Sequence, residues 1–402
     1  MKRTFWAAGI SAVTSFLGGI LVLCLCFSSN VLAAADGWAS QNGGTTGGQG
    51  GTVFTVDNYA DLLYYAVTVG TTPCIIQISG TINISDTIRI RSNKTLRGIG
   101  ENPTLVGQLG FANRNTNIIV ERLNITNPDE VGDGDGIRVA EEINNVFITK
   151  CTFYDCGDGN LDITKESDFV TVSWCKFYYT YNTGHNFVNL VGASDDQDED
   201  ADNLRVTFHH NWWTTLCKER MPRVRYGQVH VYNNYYSDLL AGGYCIGVGV
   251  GSRIRVENNY FNTVPNPWAD YYSNKPTKPA GHIGWTTGNI FYNCSIDPWA
   301  TNEYATIFTP PYSDTLTLDD AADVPAIVQA YAGAGTPYPP HWYYTVYGDF
   351  DRNGIVNMDD LATFVDYYWL VDDCDAIADA DYDYDCEVNF YEFAVLAENW
   401  MQ

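Results

Sequence analysis

Four basic side chains, Lys218, Arg220, Arg223 and Arg225, fall within eight residues of a chain whose formal net charge is −26. Guanidinium groups bind carboxylates through paired N–H donors, so this run reads as a cradle for an anionic substrate. A rim of salt bridges would use the same residues. Upstream lie two acidic stretches, Gly132-Asp133-Gly134-Asp135-Gly136 and Asp158-Gly159-Asn160-Leu161-Asp162. Asp-Gly pairs also make ordinary turns. Brought together without a cation, four carboxylates would repel strongly; with calcium they form a set of hard oxygen ligands. An acidic protein could then hold an acidic polymer.

Positioning such groups needs a repeating scaffold, and the middle of the chain repeats. Segments anchored at Val120, Ile148, Val172, Phe208, Val231 and Val256 share one pattern, a β-branched or aromatic residue followed at +3 and +5 by stackable side chains. Their spacings are 28, 24, 36, 23 and 25 residues, the 36 containing the acidic insertion Asp195 to Asp202. A period in the twenties with apolar alternation predicts a solenoid whose turns stack. Equivalent residues one turn apart then lie roughly 5 Å from each other, which would gather Asp133, Asp135, Asp158 and Asp162 on one face. The +3 column reads Leu123, Cys151, Cys175, Asn211, Asn234, Asn259. It predicts an internal asparagine ladder that satisfies buried polar groups. Cys151 and Cys175, on neighbouring turns, fit either stacked thiols or a bridge, and His209 and His210 read as structural. Solenoid ends need covering. Asn58 to Val67 reads as one capping helix, and Asp319 to Tyr331 as a second, weaker one at the other end.

Composition narrows the function. Hydrophobic residues make up 45% and charged residues only 17%, which suits a large β core and not a disordered polyelectrolyte. Nucleic acid is excluded as partner, since phosphate binding needs a basic footprint. Residues 1–35 carry Lys2 and Arg3, an apolar run from Phe5 to Phe27 and a small-residue end at Ala33-Ala34-Ala35, the order of a secretory signal. Cleavage would remove Cys24 and Cys26, leave nine of 11 cysteines and leave no membrane span. The expected organisation is signal peptide 1–35, solenoid 36–335, a Pro- and Gly-containing linker 336–348, and a C-terminal module 349–402.

That module holds 15 acids against one base, Arg352. Asp349, Asp351, Asn353, Asn357 and Asp360 occupy positions 1, 3, 5, 9 and 12 of a loop with Gly354 at position 6, the pattern that wraps calcium in oxygen donors. Asp381, Asp383, Asp385, Asn389 and Glu392 repeat the spacing, with Cys386 in the glycine position. Each loop leads into an apolar helical stretch. The pair resembles a dockerin, the duplicated calcium-loop module that docks enzymes onto cohesin partners. The resemblance implies calcium-dependent folding and attachment to a cohesin-like partner or the cell surface.

The solenoid resembles the pectate and pectin lyases of the first polysaccharide lyase family, over about residues 37–335. Thr52-Val53-Phe54-Thr55-Val56, Asp133-Gly134-Asp135, Asp158 to Asp162 and Tyr331-Ala332-Gly333-Ala334-Gly335 fit that family. Its most specific part here is Arg220-Met221-Pro222-Arg223-Val224-Arg225, followed by Val229-His230 and Asn233-Asn234. The resemblance implies an all-β, right-handed parallel β-helix that is secreted and cleaves polygalacturonate or pectin by β-elimination. It implies Arg220 as general base and Arg225 as substrate-binding arginine, with Asp133, Asp135, Asp158 and Asp162 as calcium ligands. Arg223 and Lys218 are further candidates for the substrate carboxylates. Two departures stand out. Phe187 occupies the slot, five residues before Gly192, where the family usually has a basic residue. Phe147-Ile148-Thr149-Lys150 replaces a common Trp-x-Asp-His. Phe187 leaves two alternatives open, a catalytically weak scaffold that binds uronate polymers and a lyase preferring methylated pectin.

Overall fold

In the computed structural model of this chain, the described residues are 35–285, 288–294, 307–314, 316–337, 339, 361 and 364. Residues 1–34 of the expected signal peptide, most of the linker and every proposed calcium ligand of the C-terminal module lie outside them.

The chain is an all-β parallel solenoid. Every strand pairing among the described residues is parallel. Seventeen strands form a long sheet folded along a corner, and eight form a shorter one. A middle turn runs Asp168–Ser173, bends, continues as Lys176–Tyr178, and returns through Asn189–Val191 in the short sheet. The six sequence anchors stack in register, Val120 on Ile148 on Val172 on Phe208 on Val231 on Val256, and the column continues to Trp285.

The corner has a backbone cause. Two residues after each anchor, Arg122, Lys150, Trp174, His210, Asn233 and Asn258 have φ between 48° and 57°. One left-handed residue turns the chain sharply without ending the pairing on either side. It also aims the next residue inward, so the +3 column is fully buried. The asparagines form the expected ladder. Asn211 Nδ2 donates to Asn234 Oδ1 (3.0 Å) and Asn234 Nδ2 to Asn259 Oδ1 (2.9 Å). Asn259 Nδ2 then donates to Asn289 Oδ1 (3.0 Å), a rung the +3 pattern does not include. Each Oδ1 also accepts the backbone N–H of the preceding ladder asparagine. Cys151 and Cys175 are free, as are all seven described cysteines.

The first capping helix forms as expected. Asn58 caps Tyr59–Leu63 by accepting the Asp61 N–H, and a wider turn, Tyr64–Thr68, continues it. Leu62 and Ala66 pack into the main core. The second expected helix differs. Only Val324–Tyr331 is helical, and Val324 and Val328 pack on Tyr235, Trp212 and Tyr260, which are outward residues of the long sheet. It covers a flank of the solenoid, where the rings of Tyr235, Trp212 and Tyr260 give its apolar residues a surface to pack on.

Both ends of the solenoid chain run as straps over the outside. Trp38 and Ala39 donate backbone N–H groups to Thr207 and Thr171 Oγ1, and further along Gly47 and Gly48 donate to Asn117 and Thr95. At the C-terminal side, the Asp319 carboxylate binds His210 Nε2 (2.7 Å) and its carbonyl accepts from Asn233 and Asn258. Gly333 N–H donates to the Trp174 carbonyl, and Lys150 Nζ clasps the Tyr331 and Pro337 carbonyls. The buried Lys150, one of the family departures, thus anchors a strap.

Candidate active site

The basic run and the acidic stretches meet on the outer face of the short sheet. Arg138, Asp162, Leu190, Arg223 and Gly247 form one register column across successive turns. Between Leu190 and Phe187 there are three steps, but between their partners Arg223 and Glu219 there are four. The extra residue makes a bulge at Arg220, whose φ is 64° and whose carbonyl accepts the Asn189 N–H at 2.6 Å. Bulges re-aim side chains out of a ladder. Here the bulge carries the Arg220 guanidinium over the Phe187 ring, 4.5 Å from its centroid. Arg220 Nε is buried without a hydrogen-bond partner.

Asp135, Asp158 and Asp162 lie close enough to influence one another. Burial, followed by the charges of Asp162 and Asp158, pushes the Asp135 carboxyl up to about 9. Burial likewise raises Asp162 to about 7, with Arg220 opposing the rise and Asp158 adding to it. Gly159 separates the two groups: a Cβ there would sit 2.6 Å from Asp162 Oδ1 and 2.9 Å from Asp135 Oδ1. Asp158 is half exposed and hydrogen-bonds His185 Nε2 at 2.8 Å. Asp133 departs from the expectation. It pairs with Arg138 on the solvent side of the turn, where a guanidinium is a better partner than three other carboxylates. As the side chains stand, no group of three or more His, Cys, Asp or Glu among the described residues is gathered as a metal cage. The donor set of Asp135, Asp158 and Asp162 nonetheless fits a hard cation chemically, since carboxylate oxygens are the ligands calcium takes and a cation would offset the cost of burying Asp135 and Asp162 in their charged forms.

The other basic residues divide. Arg225 is buried; its Nε donates to Asp195 Oδ1 (2.6 Å) and its Nη1 to the Gly192 carbonyl (2.8 Å). Burial and the Arg223 charge lower its pKa. Burial works to raise Asp195, but Arg225 and Lys275 outweigh it and hold that carboxyl below its usual range. The acidic insertion is therefore a clasp: Asp195 takes Arg225 and Lys275, and Asp198 takes the Tyr226 hydroxyl and Lys278. Sequence reasoning saw these acids only as a charged cluster, because their partners lie 28 to 80 residues away. Arg223 stacks on Tyr271 at 4.1 Å with Nε unpartnered, and Lys218 Nζ lies 5.9 Å from Phe187. Tyr271 was not among the expected site residues; its signal was weak, an aromatic two turns downstream of Arg223.

A parallel solenoid with guanidinium groups near buried carboxylates on one outer face suits a charged polymer laid along it. The pectate lyase family model matches residues 10–335. Pectate trisaccharide-lyases of Bacillus licheniformis and Thermotoga maritima are 33% and 34% identical, over 75% and 73% of this chain and 87% and 84% of theirs. Among solved structures, a pectate lyase of Bacillus sp. N165 in complex with trigalacturonate superposes with a TM-score of 0.65. It is 27% identical, over 75% of this chain and 99% of that one. The chain belongs to the pectate lyase family, and it is a polysaccharide lyase.

Proposed function

We propose that this protein is a secreted pectate lyase that cleaves polygalacturonate by β-elimination with calcium bound at Asp135, Asp158 and Asp162. The observation that carries the reading is the bulge that sets Arg220 near Asp162, one of these three carboxylates. The names of the relatives support the substrate. Bound calcium would add positive charge at the uronate carboxylate, which acidifies the C5 proton. Arg220 removes that proton, the C5–H electron pair becomes a C4=C5 double bond, the C4–O bond breaks, and water protonates the leaving oxygen. Arg223 and Lys218 hold neighbouring uronate carboxylates, while Arg225, fixed by Asp195, supplies charge and position from behind them. The acidic tail is read as a dockerin-like module that folds on calcium and attaches the enzyme to a cohesin-like partner or cell surface.

Incubation with polygalacturonate should give ultraviolet absorbance from an unsaturated uronide. Chelation should abolish the rise and calcium restore it. Reducing ends appearing without absorbance would mean hydrolysis and overturn the reading. Removing residues 349–402 should leave turnover on soluble polymer nearly intact and abolish attachment; equal loss of turnover would place the tail in the catalytic unit.

A further inference from the structure

We infer that Phe187 is a positioning residue for Arg220, an aromatic platform that holds the guanidinium plane where the base must stand. The inference rests on the lyase reading above. Arg220 cannot be fixed by the backbone alone, because a long flexible side chain leaving a bulge has several rotatable bonds. Its Nε has no hydrogen-bond partner to lock it. What the guanidinium does have is the Phe187 ring at 4.5 Å, and a π face attracts guanidinium groups without occupying their N–H donors. The donors stay available to a uronate.

The platform is itself anchored. The Phe187 carbonyl accepts the Tyr179 hydroxyl at 2.5 Å, and Tyr179 is fully buried. Phe187 pairs with Glu219, and the Val188 N–H donates to the Glu219 carbonyl at 3.1 Å. The ring therefore lies on the turn before Arg220, one strand spacing away. His185 packs against the ring at 3.9 Å and is held in turn by Asp158 at 2.8 Å. Asp158, His185, Phe187 and Arg220 form a continuous line from carboxylate to base.

The test compares the full-length protein with Phe187→Leu, Phe187→Met and Phe187→Tyr on polygalacturonate at saturating calcium. Loss of the ring should lower kcat about tenfold with KM within about twofold, because orientation and not binding is removed. Phe187→Tyr, which keeps a π face, should recover at least about half of wild-type kcat. Phe187→Met keeps apolar volume without a ring and should behave as Phe187→Leu, with melting close to wild type. If Phe187→Met turns over as fast as wild type, or Phe187→Tyr is as slow as Phe187→Leu, the platform role is wrong. Wild-type activity is read first: absence of unsaturated product there would overturn the lyase reading instead.

Discussion

Arg220 poses a problem of proton affinity. A free guanidinium is protonated at neutral pH, so a base made from one works through a small neutral fraction. The rate should accordingly climb into the alkaline range, which initial absorbance rates against pH would record. Lysine at this position titrates lower but is shorter and lacks the planar fork. Arg220→Lys should therefore lose at least about 100-fold in turnover with polymer binding retained, in keeping with the worth of a positioned base. Near-normal turnover in Arg220→Ala would put the base elsewhere. At this scale the sequence was partly legible. The clustering of Lys218, Arg220, Arg223 and Arg225 and the approach of the two Asp-Gly stretches follow from residue type and turn spacing. The bulge at Arg220 does not, because a one-residue difference between two strands leaves no mark until they are paired. The turning of Asp133 to Arg138 depends on rotamers, which spacing does not encode.

Among the elements, the ladder is the most informative. Six anchors could be read in register because stacking repeats the same environment every turn. Asn289 escaped because it stands four residues after its anchor Trp285 and not three. The left-handed corners were equally hidden: four of the six are Arg122, Lys150, Trp174 and His210, where nothing announces positive φ, and tertiary pairing imposes it. The ladder makes a quantitative prediction. Removing the Asn234 side chain orphans the backbone N–H of Asn211 and one of its two Nδ2 hydrogens, the other still donating to the Val172 carbonyl, in a fully buried site. At about 1–3 kcal/mol for each orphaned group, Asn234→Ala should destabilise by about 2–4 kcal/mol in denaturant titrations. Asn289→Ala, at the partly buried end of the ladder, should cost less.

At the scale of the whole molecule, the straps decide how the solenoid responds to acid. His210 is buried beneath the C-terminal strap, stacked on Trp174 and bonded to Asp319, with His209 and Asp36 beside it. Burial lowers its pKa to about 4; Asp319 opposes the fall, His209 adds to it and Asp36 opposes it. A depressed histidine contributes stability that is present above its unfolded value near 6.5 and lost as pH falls through the folded value. The loss between those values should be on the order of 3 kcal/mol. Melting temperature should drop from pH 6.5 to about 4 more steeply in wild type than in His210→Gln; identical slopes would show that His210 does not carry the effect. The two straps have a further result. In an open stack each turn is bonded only to its neighbours, so an end can peel away one turn at a time. Here the chain before the first turn is fastened to Thr207 and the chain after the last is fastened back to Lys150, so the two fasteners overlap across the middle turns. A turn that leaves either end then remains tethered to the centre, which favours its return. A protein built from repeats is thereby expected to melt more nearly as one unit than an open stack would, a single calorimetric transition being the check.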